Sequence, residues 1–227
     1  MPNETSSPGS AAEFDYEKSA RKAEHQYTPK FLFINKFLNR PLASLLVRAV
    51  FRTRVTPNQL TYLAFAIGLA GAYALYLGRP RAFLIGGCLI QLSSIVDCAD
   101  GMLARARDQI SDFGAYLDIF LDRLNEFFML LGAVLGLFRS SGRLDLLIWG
   151  FVTAVLYFLQ TTLFYLSKNC FKDMRRGDAA ENRGWLMFLT AFFAVVNRID
   201  IGIFVLFTVS LVSSVVLLVR FFVRKTA

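Results

Sequence analysis

The chain has 227 residues, of which 55% are hydrophobic and 23 are phenylalanine, and its mean hydropathy is +0.46. This composition is too apolar for an ordinary soluble domain and predicts a membrane protein. The formal net charge of +8 is explained by membrane topology and by attraction to anionic lipid headgroups. We therefore expect membrane lipids, and no nucleic acid, among the partners.

The first 54 residues divide into two segments of different composition. Residues 1–28 are rich in Ser, Ala, Glu and Lys and poor in large aliphatic side chains, so we expect a disordered cytosolic tail. This tail lacks the apolar run of a signal peptide. Residues 29–54 combine an apolar stripe with recurring Lys and Arg, which predicts a juxtamembrane amphipathic helix at the bilayer interface, broken at Pro41.

Residues 55–227 form the predicted membrane domain, and its fold class is all-α. A bilayer core about 30 Å thick requires about 20 mostly apolar residues per helix, and six segments of the sequence fit. The six predicted spans are residues 58–78, 82–106, 112–138, 144–167, 184–197 and 200–222, of which the fifth is short.

Lys and Arg are distributed unequally between the two sides of these six spans. Nineteen fall on the side of the termini, and five, all of them arginine, fall on the opposite side. Because positive residues favour cytoplasmic loops, we expect an integral membrane protein with both termini and the mouth of its site in the cytosol. The membrane would be the plasma (inner) membrane if the source is prokaryotic.

Four aspartates lie inside the second and third predicted spans, and their spacing is helical. The positions are Asp97, Asp100, Gly101 and Ala104 at i, i+3, i+4 and i+7, and Gly114, Asp118 and Asp122 at i, i+4 and i+8. Each set therefore lies on one helix face. If the chain reverses through residues 107–111, the two helices run antiparallel, and the four carboxylates meet at two levels, Asp100 with Asp118 and Asp97 with Asp122.

Ionised carboxylates are costly inside a bilayer, at about 2.5–3.5 kcal/mol each on insertion scales, so a positive partner is required. Hard divalent cations such as Mg²⁺ and Mn²⁺ prefer carboxylate oxygen, and clustered carboxylates hold two ions for phosphoryl chemistry. The small residues beside the aspartates let a ligand approach closely. In the alternative interpretation, Arg105, Arg107 and Arg123 neutralise the aspartates as structural ion pairs.

Several other catalytic chemistries are disfavoured by the sequence. The only histidine, His25, lies in the N-terminal tail, which argues against a Ser/His/Asp triad, a histidine zinc site and a histidine general base. The sequence has no GxxxxGK[ST] loop for nucleotide phosphates. A carboxylate is then the expected general base, and Asp122 is the candidate because it lies deepest and ends the series.

The aspartate pattern resembles the complete signature of the CDP-alcohol phosphotransferases, also called CDP-alcohol phosphatidyltransferases. All eight fixed positions match, as Asp97-x2-Asp100-Gly101-x2-Ala104-Arg105-x8-Gly114-x3-Asp118-x3-Asp122. The resemblance extends over roughly residues 40–195. It includes the segment Thr56-Pro57-Asn58-Gln59-Leu60-Thr61, which is similar to the opening of the family's first span.

This resemblance implies a six-helix membrane enzyme, commonly a homodimer, that transfers a substituted phosphate from a CDP-alcohol to an acceptor hydroxyl and releases CMP. Carried over by position, the four aspartates Asp97, Asp100, Asp118 and Asp122 would bind two Mg²⁺ or Mn²⁺ ions, and Asp122 would also be the catalytic base. The residues implied for CDP binding are Asn58, Thr61, Gly101, Ala104, Arg105 and Gly114.

The sequence is less informative about substrates. The runs FGAYLDIFLDR (113–123) and NRPLASLL (39–46) resemble the branch of the family that handles inositol phosphates, which predicts CDP-diacylglycerol or CDP-inositol as donor. The segment between the fourth and fifth spans departs from the Arg-x-Arg-Ala-Glu pattern associated with that branch and leaves the acceptor open. Its basic residues either hold an acceptor phosphate or only set topology; they are Lys168, Arg175, Arg176 and Arg183.

Two functions of other classes would also use acidic residues within a membrane. A cation transporter retains intramembrane carboxylates, but it does not require the small residues and Arg105 at these spacings. A prenyl-diphosphate transferase uses Asp-rich magnesium motifs on more helices. Release of CMP from a CDP-alcohol distinguishes the predicted enzyme from both.

Overall fold

A computed structural model describes residues 35–170 and 177–226, and within these ranges every regular element is helical. A short π-helical turn, Asn35–Asn39, leads into the first of seven α-helices. The helices are α1 (Arg40–Val50), α2 (Pro57–Tyr76), α3 (Pro80–Ala106), α4 (Asp112–Ser141), α5 (Leu144–Cys170), α6 (Gly177–Val195) and α7 (Ile199–Thr226). The all-α prediction is confirmed, and each predicted span coincides with one of α2 to α7. The predicted tail, residues 1–28, lies outside the described residues.

Within the described ranges, four of the helices are long and apolar enough to cross a membrane. They are α2, α3, the first 20 residues of α5 and the first 18 residues of α7, with mean hydropathies between 1.3 and 2.3. Large apolar side chains on them, such as Tyr73, Val155 and Val212, point outward. A soluble protein rarely exposes so much apolar surface, and the chain is an integral membrane protein.

The other two predicted spans, α4 and α6, are more charged or shorter than these four within the described residues. α4 is 30 residues long, but it carries acidic and basic side chains along its length. The apolar part of α6, Gly184–Val195, is shorter than a bilayer span. Length and composition thus support four spans, and the charged side chains along α4 are what set it apart from them.

The start of α2 is fixed by its own sequence. The Thr56 hydroxyl accepts a hydrogen bond from the Gln59 backbone N–H, and the Gln59 side chain accepts one from the Thr56 backbone N–H. This reciprocal pair is a capping box, and Pro57 at the first helical position suits the same geometry. The motif Thr56–Thr61 therefore opens α2 at a defined residue.

The turns at the end of the bundle opposite the aspartates share a local sequence. Gly142 and Asn197 both have positive φ, at 67° and 57°, and glycine and asparagine are the residues that adopt this left-handed conformation most readily. Each is followed by Arg-x-Asp, in which the arginine pairs with the aspartate two residues later. The pairs are Arg143–Asp145 and Arg198–Asp200, at the starts of α5 and α7.

The packing of α2, α3 and α4 creates a gap. Both α3 and α4 pack extensively against α2 and have little direct contact with each other. Glycines permit this approach: a Cβ on Gly132 or Gly136 of α4 would collide with the backbone oxygen of Ala72 or Leu75 on α2. The space between α3 and α4 is thereby left for the side chains that line it.

The helix α1 packs against the back of α3. Ala43 and Val47 are buried and belong to the same apolar cluster as Ala99 and Leu103. At the start of α1, the buried Asn39 accepts a hydrogen bond from Gln91 and donates one to Ser94. Pro41 lies in the first turn of α1, where proline is tolerated, so it begins this helix. The interfacial position of α1 stays a prediction.

Candidate active site

Three of the four aspartates form one compact group. Asp97 and Asp100 of α3 and Asp118 of α4 each offer a carboxylate oxygen, and these oxygens lie within 4.8 Å of one another. Asp100 is buried, and the other two are partly exposed. The end of the bundle that contains this group and the α3–α4 loop, residues 107–111, is called the aspartate end below.

Two contacts fit the antiparallel register predicted for α3 and α4, whereas the predicted pairing of Asp97 with Asp122 stays a prediction. Asp100 lies opposite Asp118, and deeper in the bundle the Asn125 amide donates to the Ser93 hydroxyl at 3.1 Å. From the first pair to the second, the residue number falls by seven on α3 and rises by seven on α4. The hydrogen bond therefore closes the gap below the carboxylates.

Asp122 is not part of the three-carboxylate group. It lies one helical turn deeper than Asp118 on α4, and its side chain is buried. Its predicted roles as fourth metal ligand and as catalytic base stay predictions. Among the described residues, the tightly grouped ligand set is Asp97, Asp100 and Asp118.

Thr61 contacts one of these carboxylates. Its hydroxyl is buried and donates to Asp100 Oδ2 at 2.6 Å. The resemblance implied that Thr61 lies near CDP, whereas in the structure its contact is with a candidate metal ligand. A donor on one oxygen fixes the rotamer of the carboxylate, which is what a supporting residue at a metal site does.

The remaining residues implied for CDP binding lie at the aspartate end in two places. The side-chain oxygen of Asn58 is 3.1 Å from the position of a Cβ on Gly114, so a larger residue at 114 would displace Asn58. The guanidinium of Arg105 lies over Gly101, with Nη1 3.3 Å from the position of a Cβ there. Ala104 is on the same helix and partly exposed.

The interpretation in which three arginines neutralise the aspartates is wrong for Arg107. Its guanidinium donates to the backbone carbonyls of residues 50, 51, 53 and 55. Arg123 forms an ion pair with Glu126 at 2.7 Å. The sequence interpretation missed Glu126, although it continues the i, i+4 series of Asp118 and Asp122 and is almost fully buried.

The candidate acceptor residues are only partly located. Lys168 lies near the end of α5 and Arg183 lies on α6, but their side chains are outside the described residues. Arg175 and Arg176 lie outside the described residues altogether. The hypothesis of an acceptor-phosphate site here stays a prediction.

The donor set of the aspartate group suits a hard divalent cation. Every candidate ligand atom is a carboxylate oxygen, and Mg²⁺ and Mn²⁺ are the ions for which oxygen ligands are preferred. Three carboxylates within 4.8 Å of one another repel strongly in a medium of low dielectric constant. A bound cation would relieve that repulsion, so the residues fit the predicted metal.

Comparison with known proteins agrees with the motif. The sequence pattern of the CDP-alcohol phosphatidyltransferase family matches residues 54–184, which is more than half of the chain. The chain belongs to the CDP-alcohol phosphatidyltransferase family. The matched region contains the whole aspartate group and the capping box of α2.

Individual relatives lie in the inositol-phosphate part of this family. Archaetidylinositol phosphate synthase of Pyrococcus horikoshii is 39% identical over 82 residues, which are 36% of this chain and 42% of that protein. A bifunctional IPC transferase and DIPP synthase of Thermococcus kodakarensis is 41% identical over 91 residues, 40% of this chain and 20% of that protein. The alignments thus span less than half the length of these curated relatives.

The fold is also found in a solved structure. Mycobacterium tuberculosis phosphatidylinositol phosphate synthase with CDP-DAG bound has a TM-score of 0.62 and 20% identity, covering 79% of this chain and 92% of that one. The same synthase has been solved with manganese and citrate. The likeness shows that this CDP-alcohol phosphatidyltransferase shares the fold of that enzyme.

We expect the Thr61 hydroxyl to support metal binding through Asp100. A hydrogen bond to a charged group contributes about 1.5–3 kcal/mol, and loss of a supporting residue at a metal site weakens metal affinity by about 10- to 100-fold. Thr61→Val should therefore shift a Mn²⁺ titration of thermal unfolding in detergent by that factor. The matched control Thr61→Ser keeps the hydroxyl and should titrate like the wild type; equal titrations for both variants would contradict the assigned contact.

Proposed function

We propose that this protein is a membrane transferase that moves a substituted phosphate from a CDP-alcohol to an acceptor hydroxyl and releases CMP. The observation that carries the proposal is the group of Asp97, Asp100 and Asp118, whose oxygens lie within 4.8 Å of one another at one end of an apolar bundle. Family membership supports the reaction class, and it makes the transporter and prenyltransferase alternatives unnecessary.

Asp97, Asp100 and Asp118, with Asp122 completing the set, would hold two Mg²⁺ or Mn²⁺ ions. Bound there, the ions would neutralise the diphosphate and stabilise CMP as leaving group. The protein contributes the orientation of these carboxylates, through the α3–α4 register and the Thr61 hydroxyl. In support, the mycobacterial synthase of the same fold has been solved with manganese.

The transfer itself exchanges one phosphorus–oxygen bond for another. The acceptor oxygen forms a bond to the phosphorus that carries the donor's alcohol, and the bond from that phosphorus to the bridging oxygen breaks, so that CMP leaves with the bridging oxygen. The acceptor hydroxyl gives up its proton to a base. We assign this role to Asp122, which lies below the three-carboxylate group and outside it.

The nucleotide would bind at the aspartate end, against the small residues of α3 and α4. Gly101, Ala104 and Gly114 leave room for a diphosphate to approach the backbone, and Arg105 supplies a guanidinium above Gly101. Asn58 beside Gly114 offers an amide to the cytidine end. Thr61 acts through Asp100, so its contribution to CDP binding is indirect.

The inositol-phosphate branch is the substrate class that the relatives favour. The mycobacterial synthase was solved with CDP-DAG bound, which supports CDP-diacylglycerol as the donor, with CDP-inositol as the second candidate. We propose that the acceptor carries a phosphate held by the basic residues between α5 and α6. These are Lys168, Arg175, Arg176 and Arg183.

In the membrane we propose six spans, with α4 and α6 crossing as well, both termini in the cytosol, and assembly as a homodimer. The excess of Lys and Arg on the side of the aspartate end supports this orientation. A charged helix such as α4 crosses when neighbouring helices cover its polar face, and α4 packs against α2 and α5. A cytosolic aspartate end gives a water-soluble acceptor direct access.

The first test of function is CMP release by the purified protein. We expect CMP only when a CDP-alcohol, an acceptor and Mg²⁺ or Mn²⁺ are all present, with CDP-diacylglycerol the better donor and inositol phosphate a better acceptor than inositol. Excess EDTA should abolish release. No CMP with CDP-diacylglycerol or CDP-inositol would reject the proposed reaction, and a preference for inositol would reject the acceptor-phosphate site.

Asp122→Asn tests the base. General-base catalysis typically contributes about 10²- to 10⁴-fold, so CMP release should fall by at least that factor while the thermal unfolding temperature in detergent stays close to that of the wild type. Asp145→Asn, an exposed aspartate at the opposite end of the bundle, is the matched control and should keep full activity. Near-normal turnover of Asp122→Asn would refute the assignment.

Membrane orientation is testable by labelling single cysteines in a variant without Cys88, Cys98 and Cys170. A cysteine near Ser10 should react only from the cytosolic side, and one near Gly142 only from the other side, because three predicted spans, an odd number, lie between these two positions. Labelling of both positions from the same side would refute the six-span topology.

A further inference from the structure

Arg107, the first residue after α3, makes an unusual set of contacts. Its guanidinium nitrogens donate to the backbone carbonyls of Val50, Phe51, Thr53 and Val55, at distances of 2.5–3.1 Å. The guanidinium also lies 5.8 Å from the centre of the Phe51 ring. One side chain thus forms hydrogen bonds both to the last residue of α1 and to the loop that joins α1 to α2.

A side-chain donor suits carbonyls at this position, although the Val50 carbonyl also accepts from the backbone N–H and the hydroxyl of Thr53. The last carbonyls of an α-helix have no partner within the helix, and the loop after α1 has no regular structure. An arginine fork carries five N–H donors in a fixed plane, and a cation is favourable at the negative end of a helix dipole. A lysine ammonium carries the same charge but cannot reach carbonyls spread over six residues.

The loop held by Arg107 leads directly into the site. Val55 precedes the Thr56 capping box, which fixes the first turn of α2. The next turns of α2 carry Asn58, which lies beside Gly114, and Thr61, which donates to Asp100. The guanidinium that follows α3 therefore ties the start of α2 to the helix that carries Asp97 and Asp100.

We propose that Arg107 is a positioning residue for the nucleotide end of the site: it places Asn58 and Thr61 by holding the loop in front of them. The proposal rests on the proposed function, since it assigns that end of the site to CDP. The competing explanation is that Arg107 is one of many basic residues that set membrane topology. The two explanations differ in whether charge or geometry matters.

Three variants distinguish the positioning explanation from the topology explanation. Arg107→Gln removes the charge and the fork, Arg107→Lys keeps the charge and loses the fork, and Arg52→Gln removes a charge from an exposed position in the same loop. A displacement of about 1 Å costs up to about 100-fold in an active site. We expect both Arg107 variants to raise the KM for the CDP-alcohol by about 10- to 100-fold. The KM for the acceptor and kcat should change less than about threefold. The control variant Arg52→Gln should have the kinetic constants of the wild type.

Hydrogen exchange gives a readout that does not depend on activity. Amides of residues 53–61 should exchange about tenfold faster in both Arg107 variants than in the wild type and Arg52→Gln, because loop and capping box lose their anchor. The proposal would be overturned if Arg107→Lys had wild-type kinetics, or if amide exchange in both Arg107 variants equalled that of the wild type. An equal rise in the KM for the CDP-alcohol and the KM for the acceptor would also overturn it. If the wild type releases no CMP, the proposed function fails, and exchange alone decides whether Arg107 holds the loop.

Discussion

The cost of placing ionised carboxylates among apolar helices governs the arrangement of this bundle. Insertion scales put that cost at about 2.5–3.5 kcal/mol for an aspartate at the centre of a span. Here α3 and α4 are both packed against α2, at contacts where Gly132 and Gly136 remove the side chains that would keep the helices apart. The gap left between α3 and α4 contains Asp97, Asp100 and Asp118.

The register of that gap is maintained by polar contacts below the carboxylates. Asn125 donates to Ser93, and Ser93 donates to the Ala64 carbonyl on α2, so three helices are joined by one chain of hydrogen bonds. A Cβ on Gly68 would collide with the Asn125 amide, so that glycine gives the amide its space. Since buried polar groups are costly when unpaired, a slip of either helix would carry a penalty. The same relative position of α3 and α4 determines how the aspartate carboxylates face one another.

Most of the site was predictable because its residues are local. Asp97 and Asp100 lie within one turn of a helix, and the turn to the helix of Asp118 is short, so periodicity alone predicted that these carboxylates meet. Glu126 followed the same spacing and was overlooked. The contacts of Thr61 and Arg107 were not predictable in this way, because their partners are 39 and more than 50 residues distant, and one sequence carries no signal for such pairs. Length and composition support four of the six predicted spans, because charge lowers the hydropathy of α4 and the described apolar part of α6 is short.

Arginines in this chain have the same charge but different electrostatic consequences, which depend on what they contact. Arg143 and Arg198 each pair with an aspartate two residues later, so each local pair is close to neutral. Arg107 is satisfied instead by neutral carbonyls, which hold the side chain without cancelling its charge. That charge adds to Arg105 at the aspartate end, where α3 finishes. A positive potential beside a partly exposed group of carboxylates raises the local concentration of anions, and it favours a diphosphate once cations occupy the carboxylates. The guanidinium can therefore hold the loop and still add to the positive potential at this end of the bundle.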